Sequence, residues 1–403
     1  MATICKNCAS AIVFDPKTQK VVCHSCGSSW DPKTIEVNEE YPEMLEPDQE
    51  TRNEYTMNYM ACKVYTCQSC GGEIRIHGSE ASTKCIYCGN TSVVFSRISK
   101  EKAPDFVLPF KLTKEEAVAS IKKSFKGHSF IPKEIRKIDP DMIRGIYVPY
   151  KIVNGRHFES AVVRSEISSG DTKEIIYSGR SGTMQIRNLP IDASYMLSNE
   201  SSQQLEPFDL LDLQEFKESY LLGFYSNVAD SSDEAIQKIA TVRAINAFSS
   251  QVIKTVKGSE ARVARCEADT YLYRDAVSYA MVPVWFATYF YKGKHNTIMV
   301  NGQTGKVVCG LPWDESLIYR VTLLLTVLCT IGFGVVIRYL LYAISTQPKN
   351  FENIASFLFC LFIPAISGFF LAREAEKRFD KIKQKLKLTQ ASSIFNFAKK
   401  RQE

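Results

Sequence analysis

Two long apolar runs near the C-terminal end dominate the hydropathy pattern. VTLLLTVLCTIGFGVVI (Val321–Ile337) and IASFLFCLFIPAISGFFLA (Ile354–Ala372) contain no charged residue. As helices, runs of this kind match a hydrocarbon core of about 30 Å. The pattern therefore predicts two transmembrane helices, at 317–344 and 353–372, with Pro364 kinking the second. Arg338 would snorkel to the interface, and Gly332, Gly334, Ser367 and Gly368 would allow close helix contact. The connecting STQPKNFEN is short, so the two spans form a hairpin.

Upstream, from 99 to 312, the periodicity is that of a domain core. DFVLPFKLTKEEAVASIKKSFKG reads as a strand followed by a helix. Thr113 and Glu116 make a Thr-x-x-Glu capping box, and Ala117, Ile121 and Phe125 fall on one inward face. GIYVPYKIV (145–153) reads as a buried strand, and SAVVRSEISSGDTKEIIYSGRSGTMQIRNL as antiparallel strands joined by Gly- and Ser-bearing turns. DEAIQKIATVRAINAFSSQVI is a long amphipathic helix. YAMVPVWFATYFYKGKHNTIMVNGQTGKVVCGLP reads as a hairpin followed by a third short strand, with NGQTG as a turn. Trp285, Tyr289 and Tyr291 alternate as packed strand residues do. This is an α+β domain with an antiparallel sheet. It contains no G-x-S-x-G, Walker A or dinucleotide-binding glycine loop, and His128, His157 and His295 stand apart from any nucleophile motif. No catalytic residue is assigned, and the chain reads as a non-enzyme.

The first 98 residues are organised by cysteine. CKNCASAIVFDPKTQKVVCHSC places Cys5, Cys8, Cys23 and Cys26 in the spacing C-x2-C-x14-C-x2-C, and CQSCGGEIRIHGSEASTKCIYC repeats it with Cys67, Cys70, Cys85 and Cys88. Four thiolates fill the tetrahedral shell of zinc, and each Cys-x-x-Cys turn delivers two of them. The inserts suit hairpins, AIVF and KVVC around DPKT, then EIRI and STKC around HGSE. Units this small need the metal in order to fold. Two structural Zn2+ ions are therefore expected. A thioredoxin-like redox pair does not require duplicated quartets. Closed four-sulfur sites leave no open position for catalysis, and His24 and His77 are surplus, expected to face solvent.

Charge sharpens the division. From Arg373 onward there are ten Lys/Arg and four Asp/Glu, which accounts for the whole formal charge of +6. The preceding residues are formally neutral, and 31–61 is an acidic linker with nine acids and two bases. Nucleic-acid-binding domains carry a basic face. Here the ribbons offer mainly Lys6, Lys17 and Lys20, then Arg75 and Lys84. The basic tail at 373–403 is expected to face the cytoplasm and to meet anionic lipid. MATICKNC shows no basic leader or apolar stretch, so no signal peptide is expected and the N-terminal thiols are placed in the cytoplasm. The expected order is ribbon 1 (1–30), acidic linker (31–61), ribbon 2 (62–98), the α+β domain (99–312), two spans and the tail. Both termini are expected on the cytoplasmic face of the cell membrane.

LPFKLTKEEA, IRGIYVPYKI, LEPFDLLDL, YLLGF and VPVWFATYFYKGK…NGQTGKVV, combined with the cysteine quartet before them, complete a recognisable string. The chain resembles bacterial membrane-anchored TFIIB-type zinc-ribbon proteins over nearly its whole length. In some Gram-positive bacteria relatives are encoded beside PspA-like and SPFH/virion-core proteins. The resemblance implies a docking role in the envelope-stress response and no catalytic residue. This chain departs from the pattern in carrying a whole additional first ribbon, which leaves room for a second partner. The expected function is a membrane-anchored adaptor that recruits cytoplasmic protein partners, the alternative being a membrane-tethered nucleic-acid-binding ribbon protein.

Overall fold

The computed structural model describes residues 4–35, 59–69, 71–76, 85, 92–126, 138, 140, 143–169, 172–194, 199–227, 229–291, 294–309, 315–344 and 373. The described residues of Met1–Ile121 and Ile138–Val308 form one compact unit, and those of Lys122–Lys137 and Cys309–Gln390 a second.

The larger unit opens with a small three-stranded sheet, β1 (Val13–Asp15), β2 (Lys20–Val22) and β3 (Ser29–Trp30). The turn between β1 and β2 is held by Asp15, whose carboxylate accepts from the amides of Lys17 and Thr18 and from the Thr18 hydroxyl. DPKT is thus the turn that its composition predicts.

The remaining strands form one twelve-stranded sheet. Its members are β4 (Tyr59–Cys67), β5 (Glu73–Ile76), β6 (Val93–Lys102), β7 (Phe106–Val107), β8 (Ile143–Ser169), β9 (Thr172–Asp192), β10 (Gln214–Glu215), β11 (Tyr225–Ser226), β12 (Ser259–Leu272), β13 (Ser278–Tyr291), β14 (Lys294–Asn301) and β15 (Val307–Cys309). The main path runs β10-β7-β13-β8-β11-β5-β4-β6. β8 is the organiser. Its first half pairs with β13, and its second half lies between β9 and β12. Most pairings are antiparallel, but β11 runs parallel to β8 and β7 parallel to β13.

The helices are α1 (Lys114–Phe125), α2 (Asn199–Leu205), α3 (Asp233–Lys254) and α4 (Glu315–Ile344). The capping box of α1 is present. The Thr113 amide donates to Glu116 Oε2 at 2.8 Å, and the Glu116 amide donates to Thr113 Oγ1 at 3.3 Å. Ala117, Ile121 and Phe125 are all buried. α3 starts at Ser232, whose hydroxyl accepts from the Ala235 amide, and it buries Ile236, Ala240, Ala244 and Val252. It lies on the inner face of the three-stranded arm β9-β8-β12. A buried polar cluster sits in the arm's inner face. His157 Nδ1 lies 2.8 Å from Thr270 Oγ1 and its Nε2 lies 2.9 Å from Glu159 Oε2. Phe248 of α3 meets the imidazole edge-on.

The expected fold class needs correction on two counts. The described residues are mostly β-sheet with few helices, rather than separate ribbons preceding an α+β domain. Of the strands expected in the second ribbon, EIRI is β5, which is hydrogen-bonded into the large sheet between β11 and β4, while STKC lies outside the described residues except for Cys85. Non-local strand pairing is invisible to local periodicity, which is why the sequence suggests an independent ribbon there. The expected transmembrane hairpin is also overturned. Among the described residues no helix is long and apolar enough to cross a membrane. The first expected span falls on α4, where Arg320 and Arg338 bracket the uncharged Val321–Ile337. That run of about 17 residues rises about 26 Å, short of a 30 Å hydrocarbon core. The second expected span lies outside the described residues, as do the 36–58 part of the acidic linker and all of the basic tail except Arg373. The placement in the cell membrane with two passes is therefore withdrawn.

The long pairing of β8 with β12 depends on Gly155. A Cβ there would lie 2.3 Å from the Tyr271 carbonyl oxygen, a backbone atom that cannot move aside cheaply. Gly155→Ala is expected to destabilise the protein by about 1–3 kcal/mol, the usual range for overpacking. Chemical denaturation of the two proteins side by side measures it.

Candidate metal centre

The first cysteine quartet converges. The Sγ atoms of Cys5, Cys8, Cys23 and Cys26 all lie within 4.8 Å of one another. Two of the edges, Cys5–Cys26 and Cys8–Cys23, measure 3.5 Å. A tetrahedral ion with metal–sulfur bonds of about 2.3 Å requires sulfur–sulfur edges of about 3.8 Å. The four sulfurs need only small adjustments to reach that, so the cluster can hold a metal ion.

Backbone hydrogen bonding explains the convergence. In the first knuckle the Cys5 amide donates to the Ser10 carbonyl and the Ala9 amide donates back to the Cys5 carbonyl, both at 2.8 Å. In the second, the Cys23 amide donates to Ser28 and the Gly27 amide to Cys23, both at 2.9 Å. Each knuckle closes by placing its fifth residue in the left-handed region, Ala9 at φ 57° and Gly27 at φ 76°. Glycine adopts that conformation freely, while alanine does so at a cost of about 1–2 kcal/mol. The Asn7 amide also donates to Cys5 Sγ at 3.4 Å.

The four thiols differ electrostatically. Cys5 and Cys23 are buried, whereas Cys8 and Cys26 are exposed. Burial pushes the Cys5 thiol up to about 11. Cys26 is brought down to about 6, chiefly by the hydroxyl of Ser28, 3.2 Å from its sulfur. Asn7 Nδ2 donates to that hydroxyl oxygen at 2.7 Å, which leaves the Ser28 proton to point at Cys26. Hydrogen bonds from Ser10 lower Cys8. His24 is exposed, as expected of a residue surplus to the quartet, and His77 lies outside the described residues.

The first site is fastened to the sheet. The Phe14 amide donates to the Leu222 carbonyl at 3.0 Å, and the Phe14 ring packs on Tyr220 with centroids 5.2 Å apart. Gln19 Nε2 donates to the Phe110 carbonyl at 2.7 Å, and the buried Ser219 hydroxyl donates to the Pro32 carbonyl. YLLGF, which stood out in the sequence as part of a family pattern, is thus the seat of the first cysteine unit. Nothing local in the sequence points to that contact.

Of the second quartet, Cys67 and Cys85 are described and both are buried in one core cluster with Ile74, Tyr65 and Val93. Cys70 and Cys88 lie outside the described residues. Around Cys67 the knuckle pattern recurs. Its amide donates to the Gly72 carbonyl at 3.0 Å, the Gly71 amide donates to the Cys67 carbonyl at 2.8 Å, and Gly71 has φ 68°. Sequence reading set His157 aside, yet its buried pairing with Glu159 follows from the i, i+2 rule that puts both side chains on one strand face. With side chains fully enclosed, this pair braces the arm under α3.

No protein-family model and no solved structure matches the chain. It is similar to a protein of Bacillus subtilis strain 168 that is called uncharacterized protein YdjG, with 26% identity over 318 residues, covering 75% of this chain and 88% of that protein.

Metal binding displaces thiol protons, so the sign of its pH dependence follows from the thiols. At pH 7 Cys5 retains its proton in the metal-free site, while Cys26 has already lost its own. Zinc loading is therefore expected to release protons at pH 7, and apparent affinity should rise with pH by about tenfold per unit for each proton released. Competition with a chromophoric chelator between pH 6 and 8 measures the slope. Cys5→Ser should lower bound metal by one equivalent, measured by elemental analysis.

Proposed function

We propose that this protein is a non-catalytic zinc-dependent adaptor that presents a rigid β surface to partner proteins. The metal is zinc on this reading. Four thiolates, no nitrogen or oxygen donor and a closed shell suit a structural zinc ion rather than a reactive centre. The second quartet is read as a second zinc site, supported by the repeated spacing and by the knuckle hydrogen bonds around Cys67.

The observation that carries the reading is the outer face of the arm. α3 covers one face of β9-β8-β12, while the opposite face presents Phe158, Val162, Ile175, Tyr177 and Tyr271 to solvent. Register puts these on one side, with Arg164 opposite Tyr177, Arg156 opposite Tyr271 and Glu166 opposite Ile175. Exposed aromatic and aliphatic side chains grouped in this way mark interaction surfaces.

Charge on that face favours protein over nucleic acid. Arg156, Arg164, Arg262 and Arg265 are interspersed with Glu166, Glu267 and Asp269. Arg164 pairs with Glu166 at 2.9 Å and Arg265 with Glu267 at 2.6 Å. A phosphate backbone calls for a surplus of unpaired cations. The first cysteine unit, moreover, turns Phe14 and Gln19 toward its own sheet, so part of its surface is already covered. The resemblance to TFIIB-type zinc-ribbon proteins suggests PspA-like or SPFH/virion-core proteins as partners in an envelope-stress response.

A photo-crosslinking side chain at Tyr177, in the full-length protein expressed in its own cells, tests this reading. The expected result is a discrete adduct with a PspA-like or SPFH/virion-core protein that disappears in Phe158→Glu. Adducts with nucleic acid alone, or binding that falls steeply as salt is raised, would overturn it.

A further inference from the structure

A cavity of about 910 Å3 opens in the larger unit, within the size range of small-molecule sites. Met60 of β4, Arg75 of β5, Lys102 of β6, Lys151 and Val153 of β8 and the first turns of α3 all contribute to its lining. Five basic side chains, Arg75, Lys102, Lys151, Lys238 and Arg274, face it together with three acidic ones, Asp105, Asp233 and Glu234. Arg75 is 3% exposed, so one guanidinium is built into the wall rather than waving at a rim.

The acids are already engaged by the protein. Asp233 accepts from Lys151 Nζ at 2.5 Å, and Asp105 Oδ2 accepts from the Tyr279 amide at 2.7 Å. Hydrogen bonds from its own amide and from Ser232 hold the Glu234 carboxyl below the usual range. Asp233 is lowered first by Lys151 and then by Arg274 and Lys102, which places those cations around the same corner. Five bases against three acids give the lining a formal surplus of two positive charges. Val153, Ile236, Leu272, Val277 and Met281 supply apolar wall beside this charged corner.

The geometry points to a binding site for a small organic phosphate, a phosphomonoester whose body is apolar. A phosphomonoester is close to a dianion at neutral pH and matches the surplus of two. The arginines offer planar forks that suit phosphate oxygens, and the lysines add point charges. The apolar walls take the ester group. Because the lining comes from β4–β6, β8, β13 and α3, a bound ester touches strands of the second cysteine region and the head of α3 together.

Isothermal titration of the full-length, zinc-loaded protein with phenyl phosphate tests the site. Saturable binding to one site is expected, weaker with inorganic phosphate and absent with phenol. Arg274 and Lys102 are both exposed side chains, so Arg274→Gln and Lys102→Gln should keep the fold and weaken phenyl phosphate binding by about tenfold each. Absence of saturable binding at millimolar phenyl phosphate would overturn the proposal. So would equal affinity in both variants, or phenol binding as tightly as its phosphate ester, a comparison that needs no variant.

Discussion

The contact between Phe14 and the Tyr220–Phe224 turn is the constraint on which the arrangement of the larger unit depends. Phe14 packs on Tyr220, and four residues on Phe224 lies stacked on Phe110, 4.3 Å between centroids. Phe110 and Phe224 each meet both Tyr147 and Trp285. Burial of each large ring contributes about 1.5–3 kcal/mol. Together they exceed what a single backbone hydrogen bond offers, so the rings, more than the Phe14–Leu222 bond, hold the cysteine unit in place. Zinc ribbons are often pictured as independent beads. Here the cysteine unit lies on one side of an aromatic seam whose other side is the centre of a large sheet.

β8 performs a comparable task along the sheet. Its first half is core, with Ile146, Tyr147, Val148 and Tyr150 buried; its second half forms the arm. One continuous strand thus joins the aromatic seam to the surface proposed for partners. The buried His157–Glu159 pair helps keep α3 on the arm's inner face. A hydrogen-bonded buried polar pair adds little net stability, but loss of either member leaves the other unsatisfied, so it fixes alignment more than it adds strength.

What the sequence made legible follows from range. Short-range devices were readable: the Thr113–Glu116 box, the Asp15 turn, the helix beginning after Ser232 and the first quartet's convergence all rest on residues near one another or on a fixed ligand count. NGQTG was likewise a turn, with Asn301 Oδ1 accepting from the amides of Gln303 and Thr304. Long-range pairing was not readable. The apolar GIYVPYKIV foretells a buried strand but cannot name β13, β9 and β11 as its neighbours. Gly179 and Gly182 suggested turns, yet they lie within β9, where Gly182 leaves room for Phe248. The apolar run after Val321 signalled a span through its composition, while its bounding arginines limit its length.

The knuckles are not equivalent, and the difference lies in one methyl group. Gly27 and Gly71 close theirs without strain, whereas Ala9 occupies the same left-handed corner against its own preference. The loop at Cys23–Cys26 therefore closes at less backbone cost than the loop at Cys5–Cys8. A strain of about 1–2 kcal/mol is written into the chain by an alanine where its counterparts have glycine.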